Sequence, residues 1–135
     1  RIEIFREDGW VPTRTRDKDP TAAIQGYRRT YKHNQVSPEL VDNFIRQIDE
    51  WTEEGIVVIA FRVPVHESLY ALECRQSGFD EAPFVSAFVA AGGQWIDVPQ
   101  TEFHTHDGSH LRDDAARELS TYIARKIEAG DFMTR

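Results

Sequence analysis

Four side chains that can take part in acid–base or metal chemistry lie within seven positions of this sequence, and they are His104, His106, Asp107 and His110. In an acyl-transfer site, a histidine removes the proton of a nucleophilic hydroxyl, and a carboxylate bonded to its other ring nitrogen orients the imidazole. Asp107 precedes His110 by three residues, and Gly108 between them tolerates the backbone angles of a tight turn. The spacing predicts a catalytic pair in which His110 is the base and Asp107 orients it.

A metal site is the alternative for this cluster, because imidazole and carboxylate groups are zinc ligands. The dinuclear hydrolase pattern H-x-H-x-D-H would need Asp at position 108 and His at position 109, where this sequence has Gly108 and Ser109. The sequence therefore favours the acid–base pair, which requires no cofactor and no metal. His104 and His106, beside the pair, are predicted to contact the substrate.

A helix followed by a strand precedes this cluster. Ser37 can cap a helix, Pro38 suits the first helical position, and apolar residues then recur at spacings of three and four until Gly55. Residues 56–63 form a continuous apolar run rich in β-branched residues, which predicts a central parallel strand covered on both faces. His66 follows at the carboxyl end of this strand, where open α/β sheets bind ligands, and it is predicted to contact the substrate.

Further elements alternate in the same way. Periodicity and turn residues predict a weak strand over residues 2–5, a short helix opened by Asp19-Pro20, a helix over 83–91, a strand over 95–98 and a helix over 113–129. This order predicts one α/β domain over residues 1–135, with a three-layer, flavodoxin-like parallel sheet between helices. Stable sheets usually have four or more strands. Either residues 1–36 therefore supply further strands, or the rest of the sheet belongs to sequence outside this chain.

Charge and composition disfavour several classes of partner. The net charge is −7, whereas binding to duplex nucleic acid or to an anionic membrane surface requires clustered positive charge. Both kinds of partner are therefore disfavoured. Basic residues are concentrated within residues 1–32, but no aromatic pattern accompanies them, so we interpret this segment as solvated. Cys74 is the only cysteine, and no apolar run is long enough for a membrane helix. Since the chain begins at Arg1 rather than at methionine, we expect a processed protein or a fragment.

Two stretches of the sequence carry a family resemblance. Asp107-Gly108-Ser109-His110-Leu111, followed by a helix with Ala115-Ala116, resembles the C-terminal D-x-x-H block of the SGNH, or GDSL, hydrolases. The helix over residues 40–54, the strand over 55–63 and Pro64-Val65-His66 resemble SGNH-like proteins linked to O-acylation of cell-envelope polysaccharides, including alginate acetylation and cell-wall alanylation factors. The resemblance covers residues 8–129, the C-terminal half of such a domain.

This resemblance implies an esterase or O-acyltransferase acting on acyl esters of cell-envelope carbohydrate, in an extracytoplasmic or periplasmic setting and without a cofactor. Asp107 would orient His110, and His110 would be the general base. The family's nucleophile comes from an N-terminal G-D-S block, which this sequence lacks, and its oxyanion-hole Gly and Asn are also absent. Arg112 stands where the family has a Thr or Ser helix cap. The serine is therefore expected from a segment or a partner outside this chain.

The other serines offer no nucleophile turn between a strand and a helix, and they are Ser37, Ser68, Ser77, Ser86 and Ser120. Without an activated serine no acyl-enzyme forms. A noncatalytic module that binds carbohydrate or a partner protein is therefore the main alternative function. Trp10, Trp51 and Trp95 are available for stacking on sugars, although Trp51 and Trp95 are predicted to lie in the core.

Overall fold

The computed structural model describes residues 2–3, 7, 13–14 and 17–134. Within these residues the chain forms nine elements, in the order β1 (Ile2–Glu3), β2 (Thr13–Arg14), α1 (Thr21–Tyr31), α2 (Pro38–Glu53), β3 (Ile59–Phe61), α3 (Glu67–Gln76), α4 (Glu81–Ala90), β4 (Gln94–Ile96) and α5 (Asp113–Ala129). The described residues thus form a mixed α/β structure. Trp10, which the sequence offers for stacking on sugars, lies outside them.

The strands pair in two small sheets. β1 and β2 pair antiparallel, whereas β3 and β4 pair parallel with Ala60 opposite Trp95. The parallel pair confirms the predicted parallel pairing of these two strands, whereas the three-layer, flavodoxin-like sheet stays a prediction. On the far side of β4, Met133 bridges to Trp95 through two backbone hydrogen bonds of 2.9 and 3.2 Å. The edge of β3 away from β4 carries no partner strand within the described residues.

The strand predicted over residues 56–63 is shorter and less buried than its composition indicates. Only Ile59–Phe61 is extended in the sheet, and the flanking Val57 and Val63 are 67% and 51% exposed. β-branched apolar residues predict burial only when a neighbouring strand and covering helices are present. The prediction that both faces of residues 56–63 are covered along their whole length is therefore wrong for the described structure.

Consecutive strand residues contribute to two separate apolar clusters, because their side chains point to opposite faces of the sheet. Ile96 packs with Val98, Phe103 and two residues of α5, Ala115 and Leu119. Trp95 packs with Ile48 of α2 and with Phe88 and Ala91 at the α4 end. Helices therefore lie on both faces of the β3–β4 pair. Trp95 is 8% exposed as predicted, whereas Trp51 is 39% exposed and does not belong to the core.

The helix boundaries follow the capping signals closely. α2 begins after Ser37 with Pro38 in its first turn, although the Ser37 side chain makes no capping hydrogen bond, contrary to the prediction. α5 spans residues 113–129 as predicted and ends at Gly130, whose φ of +63° is left-handed. Of the apolar residues that recur at helical spacing in α5, Leu119 is buried but Ile127 is 45% exposed.

The sequence does not predict α3, whose apolar residues form no clear helical stripe. Leu69 and Leu72 are its buried residues, and the other positions of the helix are mainly polar. Its position is held by Arg62, at the end of β3. The Arg62 guanidinium bonds Glu73 of α3 and lies 2.6 Å from a carboxylate oxygen of Glu81 on α4. These charge-assisted bonds tie the carboxyl end of β3 to two helices.

Tyr31 extends this ionic network to α1, and its titration tests the network. Its hydroxyl donates to Glu73 at 3.1 Å. Burial, together with the nearby Glu73 carboxylate, raises the pKa of Tyr31 to about 12. Because the folded pKa exceeds the ordinary value of about 10, the stabilisation is complete below pH ~10 and is lost as the pH rises through ~12. Glu73→Gln is expected to lower this pKa, measured by tyrosinate absorbance against a Tyr31→Phe reference.

Glu67→Gln is the matched control, since Glu67 is an exposed carboxylate on the same helix. It should leave the alkaline titration unchanged. An unchanged curve for Glu73→Gln would mean that Glu73 does not influence Tyr31.

Candidate functional site

The loop between β4 and α5 folds back on itself around the predicted acid–base residues. Thr105 and Leu111 form an antiparallel bridge, and the amide of His106 donates to the carbonyl of His110 at 2.9 Å. One step outward, the amide of Arg112 donates to the carbonyl of His104 at 3.0 Å. These backbone bonds close residues 104–112 into a narrow loop with Asp107 and Ser109 at its tip.

The Asp107 carboxylate organises the tip of this loop. Its Oδ1 accepts hydrogen bonds from the amides of Ser109 and His110, each at 2.9 Å, and from the Ser109 hydroxyl at 3.1 Å. Such local bonds from an aspartate to the following amides are typical of tight turns. The turn fixes the carboxylate relative to the backbone of His110.

The same turn brings the imidazole of His110 onto Asp107. His110 Nδ1 lies 3.0 Å from Asp107 Oδ2 and 3.2 Å from Oδ1. The two side chains therefore meet across the two-residue bend, as their spacing predicts. With Nδ1 engaged by the carboxylate, Nε2 is the nitrogen left to exchange protons, and the His110 side chain is 69% exposed. This is the relation between carboxylate and imidazole that a serine-type acyl-transfer site requires.

The carboxylate is held in its ionised form. Burial raises the pKa of Asp107, but the bonds from Ser109 and His110 outweigh burial and hold the pKa well below its usual range. Asp107 is therefore charged wherever a neutral histidine can accept a proton. A charged carboxylate at Nδ1 stabilises the imidazolium that forms during proton transfer.

Gly108 permits the turn and seats it against the rest of the protein. Its φ is +93°, a region that side-chain-bearing residues rarely adopt. A Cβ added at Gly108 would lie 2.7 Å from Pro20 Cβ, at the start of α1. The Gly108 carbonyl accepts a bond from the His66 amide at 2.9 Å, and the His106 carbonyl accepts one from the Lys18 amide at 2.6 Å. The loop is thus anchored to two distant segments.

The three other histidines predicted to contact substrate occupy different positions. His66 caps the N-terminus of α3, where its Nδ1 accepts from the Ser68 amide at 3.2 Å, and its backbone contacts Gly108. His104 is exposed and is tied to the loop through its carbonyl. His106 turns inward, with a side chain only 13% exposed and Nε2 3.6 Å from Asp107 Oδ2. The structure therefore brings the His106 imidazole, predicted only as a substrate contact or a metal ligand of the cluster, to the same carboxylate as His110.

No serine lies in the position of a nucleophile within the described residues. The Ser109 hydroxyl is 2.9 Å from His110 Nδ1, the nitrogen that Asp107 already engages. Ser86 and Ser120 donate to carbonyls of their own helices, and Ser77 accepts from the Phe79 amide. Among the described residues, no serine hydroxyl is therefore hydrogen-bonded to His110 Nε2, the ring nitrogen that the carboxylate leaves free.

No family model, curated protein or solved structure matches this chain. Among the described helices, none combines the length and the apolar character needed to cross a membrane.

Two apolar cavities lie away from the Asp107–His110 pair. One, of about 750 Å³, lies between α2 and α4 and is lined by Val41, Ile45 and Phe84 among others. The other, of about 490 Å³, lies beside the uncovered edge of β3, where Phe44, Phe61 and Trp95 contribute to its walls. Neither lining includes His110, so the exposed imidazole faces solvent rather than either of these cavities.

Proposed function

We propose that Asp107 and His110 are the orienting carboxylate and general base of a Ser-His-Asp site that cleaves or transfers acyl esters. The serine comes from polypeptide other than residues 1–135. The observation that carries the proposal is the 3.0 Å contact between Asp107 Oδ2 and His110 Nδ1 on an imidazole that is 69% exposed. A general base needs one ring nitrogen held by an orienting bond and the other open to its nucleophile. The bond to Asp107 and the exposure of the His110 ring meet these two needs.

In the proposed reaction, His110 Nε2 accepts the hydroxyl proton of the serine while the serine oxygen attacks the acyl carbon. The imidazolium, stabilised by Asp107, then donates this proton to the departing alcohol oxygen, and the acyl group remains on the serine. A water molecule or a sugar hydroxyl next gives its proton to His110 and takes up the acyl group. The serine recovers the proton from His110, which closes the cycle.

The fold features that support an SGNH-like, flavodoxin-like three-layer domain are the parallel β3–β4 pair and the helices on its two faces. The Asp107–His110 loop follows the carboxyl end of β4, at the edge where such sheets carry their sites. Phe61 of β3 and the flanking Val57 and Val63 are exposed, and β3 is paired only with β4 in the described residues, which favours further strands on its other edge. The carbohydrate substrate and the extracytoplasmic setting rest on the family resemblance alone.

Labelling with a fluorophosphonate tests this proposal in the full-length gene product. The reagent forms a bond between phosphorus and the oxygen of an activated serine and releases fluoride, while the base takes the hydroxyl proton. We expect one labelled serine outside residues 1–135, identified by peptide mass spectrometry. His110→Ala should slow the labelling by about 10²-fold or more, because the base is lost.

His33→Ala is the matched control, since His33 is an exposed histidine that follows α1. It should label at the wild-type rate. Labelling of Ser109, or an unchanged rate in His110→Ala, would contradict the proposal.

A further inference from the structure

Asp107 Oδ2 lies between two imidazole nitrogens. His110 Nδ1 is 3.0 Å away on one side and His106 Nε2 is 3.6 Å away on the other. All three potential ligand atoms lie within 4.8 Å of one another. The contact to His106 is longer than a hydrogen bond, so this half-buried nitrogen faces the carboxylate without bonding it.

The two distances from Asp107 Oδ2 to the imidazole nitrogens are close to those of a tetrahedral metal site. Ligand atoms bound at about 2.1 Å to a zinc ion are about 3.4 Å apart, a value that lies between the two measured distances. A shift of a few tenths of an ångström in each imidazole would equalise these two distances, and the potential ligand atoms already lie within 4.8 Å of one another. Imidazole nitrogen with one carboxylate oxygen is a ligand set that suits zinc better than magnesium or calcium, which prefer oxygen.

The surroundings of the cluster are organised as a metal site needs. Asp107 Oδ1 accepts from two amides and the Ser109 hydroxyl, so Oδ2 is the carboxylate oxygen left for an ion. Backbone bonds from His106 to His110 and from Lys18 to His106 hold the loop that carries all three side chains. Partners that orient the ligands in this way raise metal affinity.

We infer that His106, Asp107 and His110 bind a zinc-class divalent cation whose fourth position is open to water. The ion occupies the space between Asp107 Oδ2 and the Nδ1 of His110, so it replaces the hydrogen bond that orients the base. The effect of zinc on activity rests on the proposed function, whereas the binding of zinc does not. The metal-bound loop can no longer present His110 as a base, and zinc therefore regulates the same site by inhibition.

Zinc binding to residues 1–135, made without a histidine tag and freed of metal, tests the site independently of activity. We expect one Zn²⁺ per chain in competition with a chromophoric chelator. His106→Ala, Asp107→Asn and His110→Ala should each weaken the affinity at least tenfold, since changes even to outer-shell partners cost about 10- to 100-fold. His33→Ala, which also removes one imidazole, should bind like the wild type. Wild-type affinity in all three cluster variants overturns the inference.

A second measurement separates this inference from the proposed function. In the full-length gene product, Zn²⁺ should inhibit ester hydrolysis at the concentration that half-fills the site, and a chelator should restore the rate. His106→Ala should raise the half-inhibiting concentration at least tenfold. Full hydrolysis by the zinc-saturated protein would contradict both the inhibition by zinc and the role of His110 as base. It would not contradict zinc binding at these three residues. Loss of hydrolysis in His110→Ala without any zinc binding would overturn the zinc site alone.

Discussion

His110→Ala is expected to lower kcat for ester hydrolysis by about 10²- to 10⁴-fold in the full-length gene product. The reason is that the serine loses the group that accepts its proton, and no other imidazole in the loop engages Asp107 as closely. His110 Nδ1 is 3.0 Å from the carboxylate, whereas His106 Nε2 is 3.6 Å away. KM should change little, because the imidazole acts on the nucleophile rather than on bound substrate. Initial rates with an acetyl ester measure both constants.

Asp107→Asn tests the contribution of the carboxylate to the same pair. Asparagine keeps the size of the side chain but removes the charge that stabilises the imidazolium, and its amide can impose the wrong tautomer on His110. We expect a loss of about 10²- to 10⁴-fold in kcat. Because the charged carboxylate, with its lowered pKa, stabilises the fold at neutral pH, the thermal unfolding midpoint should also fall, and the rates are compared well below it. A kcat within twofold of wild type for both variants, with His33→Ala as reference, would remove the pair from the mechanism.

Gly108→Ala is expected to destabilise the protein by about 1–3 kcal/mol, the usual cost of holding a residue other than glycine in a rare backbone conformation. Gly108 has a φ of +93°, and a methyl group there would lie 2.7 Å from Pro20 Cβ. Relief of this contact moves the tip of the loop and breaks the alignment of Asp107 with His110. Urea unfolding measures the stability, and the histidine ring resonances report the alignment.

Gly55→Ala separates the two causes of this loss. Gly55 also has a left-handed φ, of +84°, but nothing lies within 4 Å of a Cβ placed there. Gly55→Ala therefore carries the backbone cost without a steric contact, and Gly108→Ala should lower the free energy of unfolding further. Equal losses of unfolding free energy in the two variants would show that Pro20 moves aside without cost and does not hold the loop in place.

Local sequence signals account for much of what the structure contains. Pro38 and Gly130 mark helix ends that the structure places within a residue or two, and the apolar periodicity between such signals identifies α2 and α5. The bend from Asp107 to His110 was predictable for the same reason. Two residues joined by a glycine turn meet through a handful of backbone angles, without help from distant parts of the chain.

Local sequence signals do not predict the burial or position of a residue when these depend on segments distant in sequence. The burial of Val57 and Val63 depends on whether strands and helices cover the β3 run, and its apolar composition cannot say whether they do. α3 has little amphipathic pattern and is held in place by Arg62, which comes from the preceding strand.

The sequence by itself determined the two best-defined helices and the Asp107–His110 pair, because caps, periodicity and a two-residue turn are properties of neighbouring residues. Only the tertiary structure decided that His106 turns inward to the same carboxylate and that Ser109 lies on the wrong ring nitrogen for a nucleophile. Those relations arise when the loop is anchored on Lys18 and His66, which are distant in sequence and which no local pattern connects to it.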